Sequence, residues 1–192
     1  MKELILIGGG GHCKACIDVI ELEGRFKIIG IIDQKQNLGE KVLDYEIIGT
    51  DEDIPALIKT YPFFLLTVGQ LGSSEIRKKI LCSFKENPEK FPTIVSPLAY
   101  VSKHSKLGSG SIVMHFAMVN SGASVGEHCI INTKSLIEHD VVIEDFCHIA
   151  TGAIVNGGAI VRRDSFVGSG SVVKQAVVIP ERSFIKANSL FR

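Results

Sequence analysis

The chain has 192 residues, 45% of them hydrophobic and 22% charged, and its 21 basic side chains balance 21 acidic ones. That length can hold one large domain or two small ones around a buried core, and the charge balance argues against a nucleic-acid footprint or a polybasic membrane surface. The opening "MKELILI" is too short for a signal peptide, nothing approaches 18 consecutive apolar residues, and five cysteines lack a disulfide-framework pattern, so the cytoplasm is the expected compartment.

Residues 1–93 read as strands alternating with helices. "ELILIGGGG" is a short apolar strand running into a glycine loop, and "HCKACIDVIELEG" is a helix that Gly24 ends. "KIIGIID" is a second strand closing on Asp33. A β-like "EIIGT" follows, and Thr50 caps a short helix through "DEDIPALIKT". "PFFLLTVG" is another buried strand, and "SSEIRKKILCSFKE" is a helix with Ser73 as its cap. This order predicts a small Rossmann-like α/β unit with a parallel sheet.

From Val95 the period changes to six. Positions 95, 101, 107 and onward to 185 are all Val, Ile or Leu, sixteen in succession. The fourth residue after each is Ala, Ser, Cys or at most Val. One aliphatic and one small inward position in every six is the hexapeptide β-helix pattern, in which three hexads close a triangular coil of 18 residues. Residues 94–192 therefore form a second domain, with the aliphatics of each coil packed on those of the next. On such a coil, His139 lies two residues past ladder position Ile137 and His148 one before Ile149, so both point outward.

The glycine loop is open to two readings. Gly8 and Gly10 fit the start of a dinucleotide signature, but Cys13 stands where the third glycine belongs. A glycine-rich turn into a helix still offers backbone N–H groups to a phosphate. The bland alternative is a turn chosen for tight strand–helix packing. Zinc is not expected, because His104, His115, His128, His139 and His148 show no spacing of one or two coils. Cys13 and Cys16 have redox-like spacing but read as ordinary helix residues, and Cys129 and Cys147 fall at small inward positions.

With its "GGGGH" loop followed by hexapeptide repeats, the whole chain resembles the bacterial sugar acetyltransferases. These include nucleotide-amino-sugar N-acetyltransferases of the bacillosamine and perosamine type, and sialic acid O-acetyltransferases. The resemblance implies left-handed winding, a homotrimer, and acetyl-CoA as co-substrate. It places the general base at His139 of "IEHD", with Asp140 raising its basicity, and puts Asn132 and His148 near acetyl-CoA. It assigns Gly10, Gly11, His12, Asp33, Gln34 and Gly69 to the nucleotide-sugar. The chemistry of a base at His139 stands independently, since imidazole accepts protons near neutral pH and a neighbouring carboxylate orients it. The sequence departs from the family near its end. There "KANSL" carries Ala187 and Ser189 where glycine and proline are usual, and Gln34 replaces a second acid.

The expected activity is thus acetyl transfer to the amino group of a UDP- or GDP-linked amino sugar, with sialic acid O-acetylation as the alternative. A nicotinamide oxidoreductase would need the signature that Cys13 interrupts. A non-catalytic nucleotide-binding scaffold would explain the repeat but not "IEHD".

Overall fold

The computed structural model describes Met1–Arg192 and resolves into two compact units. The first comprises Met1–Gly69 and Glu75–Pro92, and the second Gln70–Ser74 and Thr93–Arg192. The five-residue segment Gln70–Ser74 thus groups with the β-helix although it interrupts the α/β unit in sequence, a detail the expected division at residue 93 does not contain.

In the first unit the order is β1 (Lys2–Ile7), α1 (Gly11–Glu23), β2 (Phe26–Ile32), β3 (Lys41–Val42), β4 (Tyr45–Gly49), α2 (Ile54–Thr60), β5 (Phe63–Leu66) and α3 (Glu75–Leu81). The sheet runs β3-β4-β2-β1-β5, with β4, β2, β1 and β5 parallel and β3 turned back against β4. Strands β1 and β5 are apolar runs because a parallel sheet is covered on both faces. Leu4, Ile5, Leu6, Phe64 and Leu65 are accordingly inaccessible to solvent. Gly24 ends α1 in the left-handed region at φ 73° and donates its N–H to Ile20 O. Thr50 and Asp53 form a reciprocal capping box ahead of α2. The helix expected from Ser73 is shorter, giving way to a tighter turn over Cys82–Phe84. The preceding residue, Ser74, belongs to the second unit, within which its hydroxyl donates to Asp164 Oδ1 at 2.6 Å. No helix is long and apolar enough to cross a membrane.

The second unit is a left-handed parallel β-helix of two-residue strands in three sheets of six, five and six strands. Each strand pairs in parallel with the strand one coil away, as Met118 does with Leu136 and Ile130 with His148. All sixteen hexad aliphatics lie in one core, with only Val95, Val101 and Leu107 at the open first coil partly exposed. The small position is small because corner backbone closes over it. Where it is serine, the buried hydroxyl finds a carbonyl: Ser111 donates to Gly126 O, Ser135 to Asn132 O, Ser165 to Pro180 O and Ser171 to Lys186 O, at 2.7–2.9 Å. Burial therefore leaves these hydroxyls satisfied.

A third constraint is absent from the two-position pattern. From Gly110 to Asn188, every sixth residue is left-handed, with φ between 53° and 74°. Five of these corners are glycine (Gly110, Gly122, Gly152, Gly158, Gly170), but Phe116, His128, Lys134, Asp140, Phe146, Asp164, Ala176, Arg182 and Asn188 are not. A left-handed L-residue costs about 1–2 kcal/mol, so inter-coil hydrogen bonds and core packing must hold these corners. Ile149→Ala, at a fully buried ladder position, should then destabilise the protein by about 2–5 kcal/mol in urea unfolding, the usual penalty for an unfilled aliphatic cavity.

Candidate active site

The His139–Asp140 pair is built by one of these left-handed corners. Asp140 has φ 60°, which turns its carboxylate back toward the preceding side chain. His139 Nδ1 and Asp140 Oδ2 are 2.9 Å apart, and both side chains are open to solvent (56% and 72% exposed). An ionised carboxylate only accepts hydrogen bonds, so Nδ1 carries the proton and Nε2 presents its lone pair. Nε2 has no partner within the chain.

Neighbouring coils complete the setting. Glu138 Oε2 accepts the Asn120 side-chain amide at 2.9 Å and the His139 N–H at 3.3 Å. This occupies the oxygen that could have competed for the histidine ring. One coil further on, the ring lies over Gly157, where an added Cβ would meet His139 Cε1 and Nε2 at 2.6 Å. Gly157 is buried, and its N–H has no partner within the chain. The equivalent N–H groups of Ser121, Thr133 and His139 each find a side-chain oxygen. A histidine ring with a free nitrogen and a residue with an unengaged N–H thus share one corner. The "NGGA" signal for this was present in the sequence but went unread, because Gly157 belongs to neither repeated position.

His148 departs from its expected exposure. It does point away from the coil axis, but Gln70–Ser74 lies against it, and only 6% of its surface remains accessible. Its Nδ1–H donates to Gln70 O at 2.7 Å, because a carbonyl can only accept; Nε2 then accepts the Asn132 amide at 3.1 Å. Both ring nitrogens are used inside the protein, so His148 reaches the solvent side of the coil only through Asn132. The Gln70 side-chain amide in turn donates to Phe146 O at 2.9 Å. Sequence reading missed Gln70 because nothing local marks a loop residue as the partner of a repeat more than 70 residues further along the chain.

In the first unit the four loop glycines divide by environment. At Gly8, with φ 106°, a Cβ would strike Val68 at 2.4 Å, and at Gly9 it would strike the Asp33 carboxylate at 2.5 Å. Those two are packing glycines. Gly10 and Gly11 meet nothing within 4 Å, and their N–H groups have no partner at the start of α1. Asp33 fixes the loop, accepting the Gly9 N–H at 2.9 Å and the Gln34 N–H at 2.7 Å. The Thr67 hydroxyl holds Gly8 O at 2.7 Å. His12 Nε2 lies 3.4 Å from Cys16 Sγ, and the α-carbon of Gly69 faces the His12 side chain. Gly10, Gly11, His12, Asp33, Gln34 and Gly69 all follow the C-terminal ends of β1, β2 and β5, at one end of the sheet near the start of α1. His139, Asp140, Asn132 and His148 belong to the other unit.

In fold and repeat the chain is similar to solved bacterial sugar acetyltransferases. Residues 3–84 match the PglD N-terminal domain. The chain is similar to UDP-N-acetylbacillosamine N-acetyltransferase of Bacillus subtilis (strain 168), 29% identical over 114 residues. That match covers 59% of the chain and about half, 52%, of the relative. Among solved structures, the acetyltransferase domain of PglB from Neisseria gonorrhoeae FA1090 in complex with acetyl coenzyme A superposes with TM-score 0.88 at 26% identity, over 97% of this chain and 89% of that one. A His-to-Asn variant of perosamine N-acetyltransferase from Caulobacter crescentus, in complex with CoA and GDP-perosamine, superposes with TM-score 0.90 at 25% identity, over 100% and 89%.

The cysteines stand apart from this chemistry. Burial pushes the Cys13 thiol up to about 11, with the nearby Asp33 charge adding to the effect, and raises Cys16 and Cys147 as well. Cys13, Cys16, Cys129 and Cys147 are buried and Cys82 is exposed. Since the thiolate is the reactive form, iodoacetamide at pH 7.5 should modify Cys82 alone in the folded protein, and all five thiols after denaturation, as read by intact-mass spectrometry.

Proposed function

We propose that the chain is an acetyl-CoA-dependent N-acetyltransferase acting on the amino group of a nucleotide-linked amino sugar. The observation that carries this reading is the His139 side chain, held by Asp140 through Nδ1, bare at Nε2 and lying over Gly157, whose N–H is unengaged. Acetyl transfer to an amine needs those two functions together. As the amine nitrogen attacks the thioester carbonyl carbon, Nε2 takes its proton, and Asp140 stabilises the imidazolium that forms. The negative charge moving onto the carbonyl oxygen is met by the Gly157 N–H. When the carbon–sulfur bond breaks, the imidazolium returns the proton to the departing thiolate. No covalent acetyl-enzyme is required, in keeping with inert cysteines. Asn132, oriented by His148, offers a further donor for acetyl-CoA.

The nucleotide-sugar is assigned to the first unit. Gly10 and Gly11 leave room for a phosphate to approach the N-terminus of α1, where backbone donors and the helix dipole favour an anion. Asp33 and Gln34 follow the neighbouring strand, and His12 and Gly69 lie at the same end of the sheet. The test is thiol release from acetyl-CoA with a panel of UDP- and GDP-linked amino sugars and free sialic acid. Turnover with an amino-sugar nucleotide is the expected result, whereas turnover with sialic acid alone would replace this reading by O-acetylation. His139→Ala should lower kcat by roughly 10²–10⁴-fold with both KM values nearly unchanged, and Asp140→Asn should lower it less. A His139→Ala enzyme with undiminished kcat would sink the base.

The homotrimer is likewise a proposal. One face of the β-helix carries Tyr100, Met118, Leu136, Ile154, Val172 and Leu190 in register, one per coil and all outward. A continuous apolar row of this length on a flat face is suited to burial against further copies. Sedimentation at micromolar concentration should give three times the chain mass, and a monomer would overturn this reading.

A further inference from the structure

We propose that Gly157 is a positioning residue that seats the His139 imidazole. The inference rests on His139 being the base, and it adds the requirement that the coil beneath the ring carry no side chain. Three observations converge on it. Gly157 is stacked one coil beyond His139, since the Gly158 N–H donates to His139 O at 3.0 Å. An added Cβ would lie 2.6 Å from both Cε1 and Nε2 of the ring and 3.2 Å from Cδ2, closer than real Cβ contacts allow. Yet the backbone makes no demand for glycine there, because the φ of Gly157 lies outside the left-handed region; it is the next residue, Gly158, that is left-handed at φ 67°. Space for the ring is thus what the absence of a side chain provides.

The consequence is geometric. With Nδ1 tied to Asp140, the ring has little freedom to move away from an intruding methyl group without breaking that 2.9 Å hydrogen bond. A Cβ at 157 must either rotate the imidazole off Asp140 or lift Nε2 from its place over Gly157. Both move the proton-accepting atom by a sizeable fraction of an ångström, and misplacement on the order of 1 Å can lower a rate by about 10²-fold. A merely structural role would act through stability, with no special link to the histidine.

The experiment is a cycle of Gly157→Ala, His139→Ala and the double variant, read by kcat, by both KM values, by melting temperature and by the pH titration of the His139 Cε1 proton in NMR spectra. Gly157→Ala is expected to lower kcat about 10²-fold, to leave the KM values nearly unchanged and to shift the His139 titration. Adding it to His139→Ala should lower kcat no further, because the clash partner is gone. If Gly157→Ala also lowers the melting temperature, the double variant should recover the loss. The proposal is overturned if Gly157→Ala keeps wild-type kcat and an unshifted titration, or if its kcat effect repeats in full in the His139→Ala background. A separate failure is recognisable: His139→Ala with undiminished kcat removes the base, while a shifted Cε1 titration in Gly157→Ala would still establish the seat.

Discussion

Everything at the candidate site depends on the coil-to-coil register of the β-helix. Parallel backbone hydrogen bonds lock each coil to the next with a step of 18 residues, as in Met118 against Leu136 against Ile154. A one-residue slip would send aliphatics outward and polar residues into the core, so sixteen hexad aliphatics in one core make the register hard to disturb. The site inherits that rigidity. His139 faces Gly157, Asp140 faces Gly122 and Glu138 faces Asn120 because each pair is one coil apart. Functional groups that must hold their positions within fractions of an ångström are best carried on such a scaffold.

The corners convert register into chemistry. A left-handed residue is required every sixth position, and glycine fills only some of these places. At position 140 the strained residue is an aspartate, and the strain has a use, because the left-handed turn returns the carboxylate to the ring of His139. Gly122, one coil earlier, leaves room for that carboxylate, since a Cβ there would lie 2.3 Å from Asp140 Oδ1. Residues in sparsely populated backbone regions gather where their geometry serves a site. Here the fold demands the left-handed turn at every corner, and the site exploits it at one.

The β-helix was legible because its determinant is a strict period, visible in one sequence as Val95 to Ile185. The parallel α/β unit was legible for the same reason, through apolar strands bounded by Gly and Thr. Legibility ended where contacts join residues distant along the chain. The placing of Gln70 against His148 and of Ser74 against Asp164 left no local mark, and so His148 read as exposed. The left-handed corner escaped notice because Phe116, Lys134 and Arg182 share it with glycine, and no composition rule unites them. Among candidate site residues, the His139–Asp140 pair was readable, since neighbours in sequence at a corner are neighbours in space. Gly157 was not, because its importance comes from the ring above it.

The glycine loop shows how structure can separate two readings that sequence leaves mixed. Packing explains Gly8 and Gly9, where a side chain would collide with Val68 or Asp33. It fails to explain Gly10 and Gly11, which are exposed and meet nothing. A residue whose smallness serves no contact in the protein itself points to a contact outside it, and backbone N–H groups at a helix start favour an anionic one. Gly157 presents the complementary case, in which smallness serves a contact inside the protein. In both, the useful question is what a Cβ would touch. Its answer separates Gly10 and Gly11, where a Cβ would touch nothing, from Gly157, where it would touch the imidazole.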